Sequence, residues 1–160
     1  MKLLDRSGWK TDEFLRSEDV SAGEAMLVPL SQAEAALAGP APGRRIGALV
    51  PNTTQASSLK PIQDGLALIA IDFPATGDGR GFSLARGLRD QGYQGLLRAT
   101  GALIPDQFAF ALSCGFDEVE IDDARAARQP IGQWLGALAS ISVHYQGRGS
   151  IFAARRAAAS

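Results

Sequence analysis

The stretch LALIAIDFPATGDGRGFSLARGLRDQGYQGLLRATG (residues 66–101) decides how the rest of the chain is read. Residues 66–74 are almost continuously apolar and rich in branched side chains, the pattern of a strand covered on both faces, as in a parallel sheet. Glycines, Asp78 and Arg80 follow, and then helical spacing takes over. Leu84 and Leu88 share one face, with Phe82 and Ala85 beside them. Gly92 suits a left-handed helix stop, and residues 95–101 read as the next strand. A strand, a helix and a second strand joined by a few residues imply a right-handed crossover between parallel neighbours.

The alternation continues in both directions. Downstream, Pro105 fits the first position of a helix and Gly115 its stop, with Phe108, Leu112 and Phe116 recurring every four residues. DEVEID (residues 117–122) reads as a strand. PIGQWLGALAS (residues 130–140) reads as a last helix burying Ile131, Trp134, Leu135 and Leu138. Upstream, AMLVPL (residues 25–30) is a short apolar run. A helix follows in which Ser31 and Glu34 have capping-box spacing, ended by Gly39 and Pro40. RRIGALVPN (residues 44–52) is another strand, whereas Pro61 argues against a continuous helix over residues 57–64. The expected fold class is α/β: a small, mainly parallel sheet of about four or five strands built from βαβ units, able to curl like part of a (β/α) barrel. Residues 1–24 are expected as an irregular N-terminal arm anchored by Trp9. Residues 25–142 are expected as the α/β domain, and residues 143–160, with His144, as a weakly structured C-terminal tail.

Composition narrows the function classes. The chain has 160 residues, 46% apolar and 21% charged, which favours one globular domain. A net charge of −1 argues against a general nucleic-acid binder, which needs a basic face. No apolar run approaches the roughly 20 residues that span a bilayer. The polar N-terminus does not read as a signal peptide, so a cytoplasmic protein is expected. The lone Cys114 cannot form an intrachain disulfide. It sits by a helix C-terminus, where the dipole disfavours a thiolate, so it reads as buried and inert. There is no His pair for metal binding and no dinucleotide fingerprint, so neither metal nor cofactor is expected.

Ligands in parallel α/β folds gather beyond the carboxyl ends of the strands. Side chains alternate along a strand, so Ala70 and Asp72 share a face, as do Arg98 and Thr100, and Glu120 and Asp122. The other faces carry Ile69 and Ile71, Leu97 and Ala99, Val119 and Ile121. If these apolar sets point one way, the opposite face has a polar edge, on which Arg98 is a natural partner for Asp72 or Glu120. Asp72, Arg98 and Glu120 are therefore the candidate catalytic set, two carboxylates for acid/base work and a guanidinium clamp. The bland alternatives are a structural salt-bridge cluster, a solvated sheet face, or a face covered by curling or by a second subunit of a homo-oligomer. The loop TGDGRGFS (residues 76–83) is the candidate anion-binding element. Asp78, Gly79, Arg80 and Gly81 stand at a helix start, with Arg98 as a second guanidinium. The alternative there is a glycine-rich turn with Asp78 as a helix cap.

FPATGDGRGFSLARGLRDQGYQGLLRATGALIPDQFAFALSCGFDEVEI (residues 73–121) resembles the signature of a bacterial family, domain of unknown function 934. That run reads aromatic-Pro, Asp-Gly-Arg-Gly, aromatic, Ser, Ala-Arg, Leu-Arg, Gly-Tyr, Leu-Arg-Ala, Gly, Asp-Gln and Cys-Gly-Phe-Asp. The chain departs from it at Ala102 and Pro105, where the family has an acid and an arginine. The resemblance implies a role in sulfite reduction, because members are commonly encoded beside sulfite and sulfate assimilation enzymes. The expected function is an accessory protein that binds a sulfite-reductase component or a small oxyanion. The alternative is a small-molecule enzyme working at the strand ends.

Overall fold

The computed structural model describes residues 1–17, 19, 23–39 and 43–139. The strands are β1 (Lys2–Asp5), β2 (Gly8–Lys10), β3 (Leu15–Arg16), β4 (Ala25–Pro29), β5 (Arg45–Pro51), β6 (Leu68–Phe73), β7 (Leu96–Gly101) and β8 (Glu118–Ile121). The helices are α1 (Leu30–Leu37), α2 (Ala56–Leu59), α3 (Arg80–Asp90), α4 (Pro105–Ser113) and α5 (Asp123–Arg128), followed by a helical run over residues 131–139. All the strands lie in one eight-stranded sheet of order β2-β1-β8-β7-β6-β5-β4-β3. From β3 to β8 every pairing is parallel, while β1 is antiparallel to both β8 and β2. The α/β class holds, as do the parallel neighbours joined through a helix that residues 66–101 predict, but the sheet has more strands than expected.

The extra strands correct the reading of the N-terminus. Residues 1–24 are not an irregular arm, for β1, β2 and β3 lie within them. These strands are two to four residues long, too short to show a period in the sequence. Trp9 is not the anchor either. It is 40% exposed, whereas Leu3, Leu4 and Phe14 are buried. Residues 143–160, His144 among them, lie outside the described residues.

β2 and β3 are the two edges of the sheet, yet only residues 11–14 join them. Seven interstrand spacings would part the edges of a flat sheet by about 34 Å. Five peptide steps, from Lys10 to Leu15, reach at most about 17 Å. The sheet therefore has to curl into a half-barrel, with residues 10–16 as a strap across its mouth. A side-chain contact gives the same answer. Arg16 on β3 reaches Glu120 on β8 at 2.5 Å, although four strands stand between them in the sheet.

The apolar sets do point one way. Ile69, Ile71, Leu97, Ala99, Val119 and Ile121 join one large core with the helices, on the convex face. The concave face holds a smaller apolar cluster of Phe14, Ala25, Leu27, Leu68 and Ala70, and above it the polar residues. Helix ends follow the sequence in part. Pro105 opens α4, and Gly92 and Gly115 adopt φ of 95° and 108° as helix stops. The capping box at Ser31 does not form, because α1 begins two residues earlier, with Pro29 at the cap position, and has no side-chain cap. Residues 57–64 resolve into α2 and a short 3₁₀ turn, Gln63–Gly65, on either side of Pro61. Helix α5 was not foreseen. Its signal is Asp122, whose carboxylate accepts from the Arg125 amide at 2.6 Å.

Gly81 places α3 against the sheet. A methyl group there would meet three carbons of the Phe73 ring at under 3.0 Å. Gly81→Ala is expected to cost about 1–3 kcal/mol by overpacking, despite alanine's better helix propensity. Chemical denaturation checks this, and a variant as stable as its parent would show that the ring moves freely. No helix among the described residues is long and apolar enough to cross a membrane.

Candidate functional site

Arg98 sits at the centre of the concave face, with 1% of its side chain exposed. Its Nε donates to Glu118 at 2.8 Å, and one terminal nitrogen donates to Glu120 at 3.0 Å. Both terminal nitrogens hold Asp12 in a two-pronged pair at 2.7 Å. Glu118 and Glu120 are as buried as Arg98 itself. Each has a second cation from the strap: Lys10 reaches Glu118 at 2.7 Å and Arg16 reaches Glu120 at 2.5 Å. Arg16 also donates to Thr100 Oγ1 at 3.3 Å. Among the described residues the centre of the cluster is three cations, Lys10, Arg16 and Arg98, against three carboxylates, Asp12, Glu118 and Glu120, with Asp5 at its edge 4.0 Å from Lys10. Burying charges in this way is tolerable only because each one is matched.

Phe14 fills the apolar floor between the charges. The Arg45 guanidinium lies 5.2 Å from its ring centre and the Arg98 guanidinium 6.0 Å. Arg45 pairs in turn with Glu13 at 2.8 Å. Lys10, Asp12, Phe14 and Arg16 stand at alternate positions, as an extended segment with one inward face requires.

Titration follows from these contacts. Burial pushes the Asp12 carboxyl up, but hydrogen bonds from Arg98 and the Phe14 amide outweigh it and hold the pKa below the usual value. Burial acts against the Arg98 charge, yet its bonds to Asp12 and Glu118 raise its pKa above the ordinary arginine value. The hydrogen bond to Glu118, opposed by partial burial, raises Lys10. A depressed carboxylate stabilises the fold above its unfolded pKa of about 3.9 and loses that contribution as pH falls through the folded value. A raised lysine does so below about 10.4 and loses it as pH rises through the folded value. The melting temperature is therefore expected to fall below about pH 4, and Asp12→Asn is expected to flatten part of that acid limb. An acid limb unchanged in the variant would remove Asp12 from the account.

The candidate residues are only partly brought together. Arg98 and Glu120 meet, as expected. Asp72 lies on the same face, opposite Thr100 in the β6–β7 register, but takes no part in the ion-pair network. The partners of Arg98 are Glu118, Glu120 and Asp12 rather than Asp72. Arg80 and Arg98 do not converge either: Arg98 points into the concave face, whereas Arg80 opens α3, which packs on the convex face. Arg80 is engaged by its neighbour, its Nε and Nη2 donating to the two Asp78 oxygens at 2.9 and 2.6 Å. That pairing holds the Asp78 carboxyl well below the usual range. The nearby Asn52 side chain adds to the lowering, although its Nδ2 lies outside hydrogen-bond geometry. Asp78 accepts from the Arg80 amide at 3.2 Å, but the residue at the cap position of α3 is Gly79, with no side-chain cap. The loop is a self-paired turn, and its Gly81 serves packing.

Two clefts border this region. One of about 370 Å³ runs beside Trp9, Lys10, Asp12 and Glu120. Another of about 250 Å³, lined by Arg16, Leu27, Pro29 and Leu49, lies at the other end of the strap. A further cleft, of about 720 Å³, is away from the charge cluster, around Arg6, Arg89, Tyr93 and Asp117. Its Arg89 is occupied by the carbonyls of Tyr93, Gly95 and Gly115 and by Asp117.

Residues 47–152 match the model of a family described as bacterial protein of unknown function (DUF934). The chain belongs to that family. The DUF934 match contains Asp72, Asp78, Arg80, Arg98, Glu118 and Glu120, and begins well after the strap. No curated protein matches the chain. The sequence reading missed Lys10, Asp12, Phe14 and Arg16, which complete the network from outside the matched segment. Their alternation in KTDEFLR was the available signal, obscured by the half-exposed Leu15 between Phe14 and Arg16.

Proposed function

We propose that this DUF934 protein is a non-catalytic accessory component of sulfite reduction or sulfate assimilation, working by binding a reductase partner. The observation that carries this reading is the commitment of Arg98. A guanidinium with 1% exposure and four of its five N–H donors given to three carboxylates is poorly placed to clamp a reacting substrate. The enzyme reading needed that group as its electrostatic clamp. An oxyanion site built from Arg80 and Arg98 is likewise disfavoured, because they sit on opposite sides of the sheet. The role in sulfur metabolism is what the family resemblance implies, and it rests on that resemblance alone. A strain lacking the gene is expected to grow normally on cysteine and poorly on sulfate or sulfite. Equal growth on all three sources would end the proposal.

One observation favours a second, small-molecule reading. Asp72 is a partly buried carboxylate at a strand end, in register with Thr100 and outside the ion-pair network. A thermal-shift screen with sulfite, sulfate, phosphate and adenylyl nucleotides, run on the wild type and Asp72→Asn, tests it. A stabilising ligand lost in the variant would favour this reading, and no shift with any of them would dismiss it for these ligands.

A further inference from the structure

We propose that the concave face is a docking groove for an extended peptide segment of a partner protein, and that Lys10–Arg16 is a tethered stand-in for that segment. The proposal rests on the partner-binding reading above and names the surface and the chemistry it recognises. Among the described residues, no backbone hydrogen bond ties residues 11–14 to the sheet. The strap crosses the groove on side chains alone, like a bound peptide. Each inward side chain meets its complement on the strands: Lys10 meets Glu118, Asp12 meets Arg98, and Arg16 meets Glu120. Phe14 meets the apolar floor. At its far end the strap is held by a strand of only two residues, β3.

Part of the groove's network is independent of the strap. Arg98, Glu118 and Glu120 come from two adjacent central strands and bond to one another. With the strap lifted, Arg98 keeps both glutamates, and the face carries one cation and two acids above an apolar floor. It would select a segment bearing cation, acid, aromatic and cation at alternate positions, the pattern its own strap displays. Such recognition takes specificity from pockets for every second side chain, as other extended-peptide grooves do.

Competition tests the idea on the full-length chain. The probe is a fluorescein-labelled peptide of sequence GWKTDEFLRS, corresponding to residues 8–17, followed by fluorescence anisotropy. The wild-type groove is filled in cis, so its apparent affinity is reduced by the small fraction of open molecules. Phe14→Ala loosens the strap and is expected to bind the peptide at least about tenfold more tightly than the wild type does. A control peptide with lysine for the aspartate and alanine for the phenylalanine is expected to bind at least about tenfold more weakly than the probe. If Phe14→Ala does not fold, Arg16→Ala loosens only the far anchor and is used in its place. A folded loosened variant that does not bind the peptide, or binds the control equally well, overturns the proposal. A concentration-dependent dimer of the variant that excludes the peptide also overturns it, in favour of strap exchange between copies. A failure here together with a growth defect on sulfate would reject the groove and spare the partner-binding role, whereas normal growth would reject that role whatever the peptide does.

Discussion

Arg98→Ala is expected to destabilise the protein by about 3–5 kcal/mol, because it strands buried carboxylates whose shared cation is gone. For a chain of this size that is a drop in melting temperature of roughly 6–20 °C. Lys10 and Arg16 would still face Glu118 and Glu120, but each is about a third exposed and touches its glutamate from the strap side only. Asp12 would lose its two-pronged partner altogether. Arg98→Lys is expected to fall in between, since one ammonium lacks the planar fork that meets three carboxylates at once. Had Arg98 been an open ligand clamp, its loss would leave the melting temperature almost unchanged. Calorimetry at pH 7 separates the two, and a shift under about 2 °C would mean that the network contributes little. The loss should shrink in Glu118→Gln/Glu120→Gln/Arg98→Met, where no charge is left on the strands to be stranded.

The same residue shows what could be read in the sequence and what could not. Alternation along β6, β7 and β8 was enough to place Ile69, Leu97 and Val119 on one face and Arg98 with Glu120 on the other, because strand periodicity is local. The long apolar run before Asp72 was enough for a parallel sheet, because only a strand covered on both faces tolerates it. Closure of the half-barrel was not legible. It depends on residues 11–14 joining two edges of the sheet, and no local pattern reports a contact such as Arg98 with Asp12, 86 positions apart. Arg80 misled for the opposite reason. Its nearest acid, Asp78, stands two positions away, so a turn consumed the charge that the glycine-rich loop seemed to present to a ligand.

Phe14→Ala is the second large effect expected, at about 3 kcal/mol. Deleting a buried phenylalanine costs about 3–5 kcal/mol in well-packed cores, a transfer penalty plus the cavity left behind. Phe14 is 6% exposed and contributes to the smaller of the two cores, so the lower end of that range applies. The loss has a ceiling, too. Once the strap is weak enough to open alone, further damage to it no longer lowers the stability of the rest. Hydrogen exchange should therefore show residues 14–16, whose segment is tied by the Phe14 amide to Asp12 and by the β3–β4 ladder, losing protection at once, while the amides of β6 and β7 lose only what the global stability loses. Phe14→Leu keeps the apolar volume but not the ring between Arg45 and Arg98, and is expected to cost less than about 1.5 kcal/mol. Equal exchange rates in the wild type and Phe14→Ala would mean that the ion pairs alone hold the strap. The order of the two substitutions matters physically. Arg98 neutralises the strands from within, whereas Phe14 keeps in place the segment that delivers Lys10 and Arg16. Losing the wedge therefore leaves Glu118 and Glu120 sharing a single guanidinium, and part of the Phe14→Ala cost should disappear when both glutamates are glutamines.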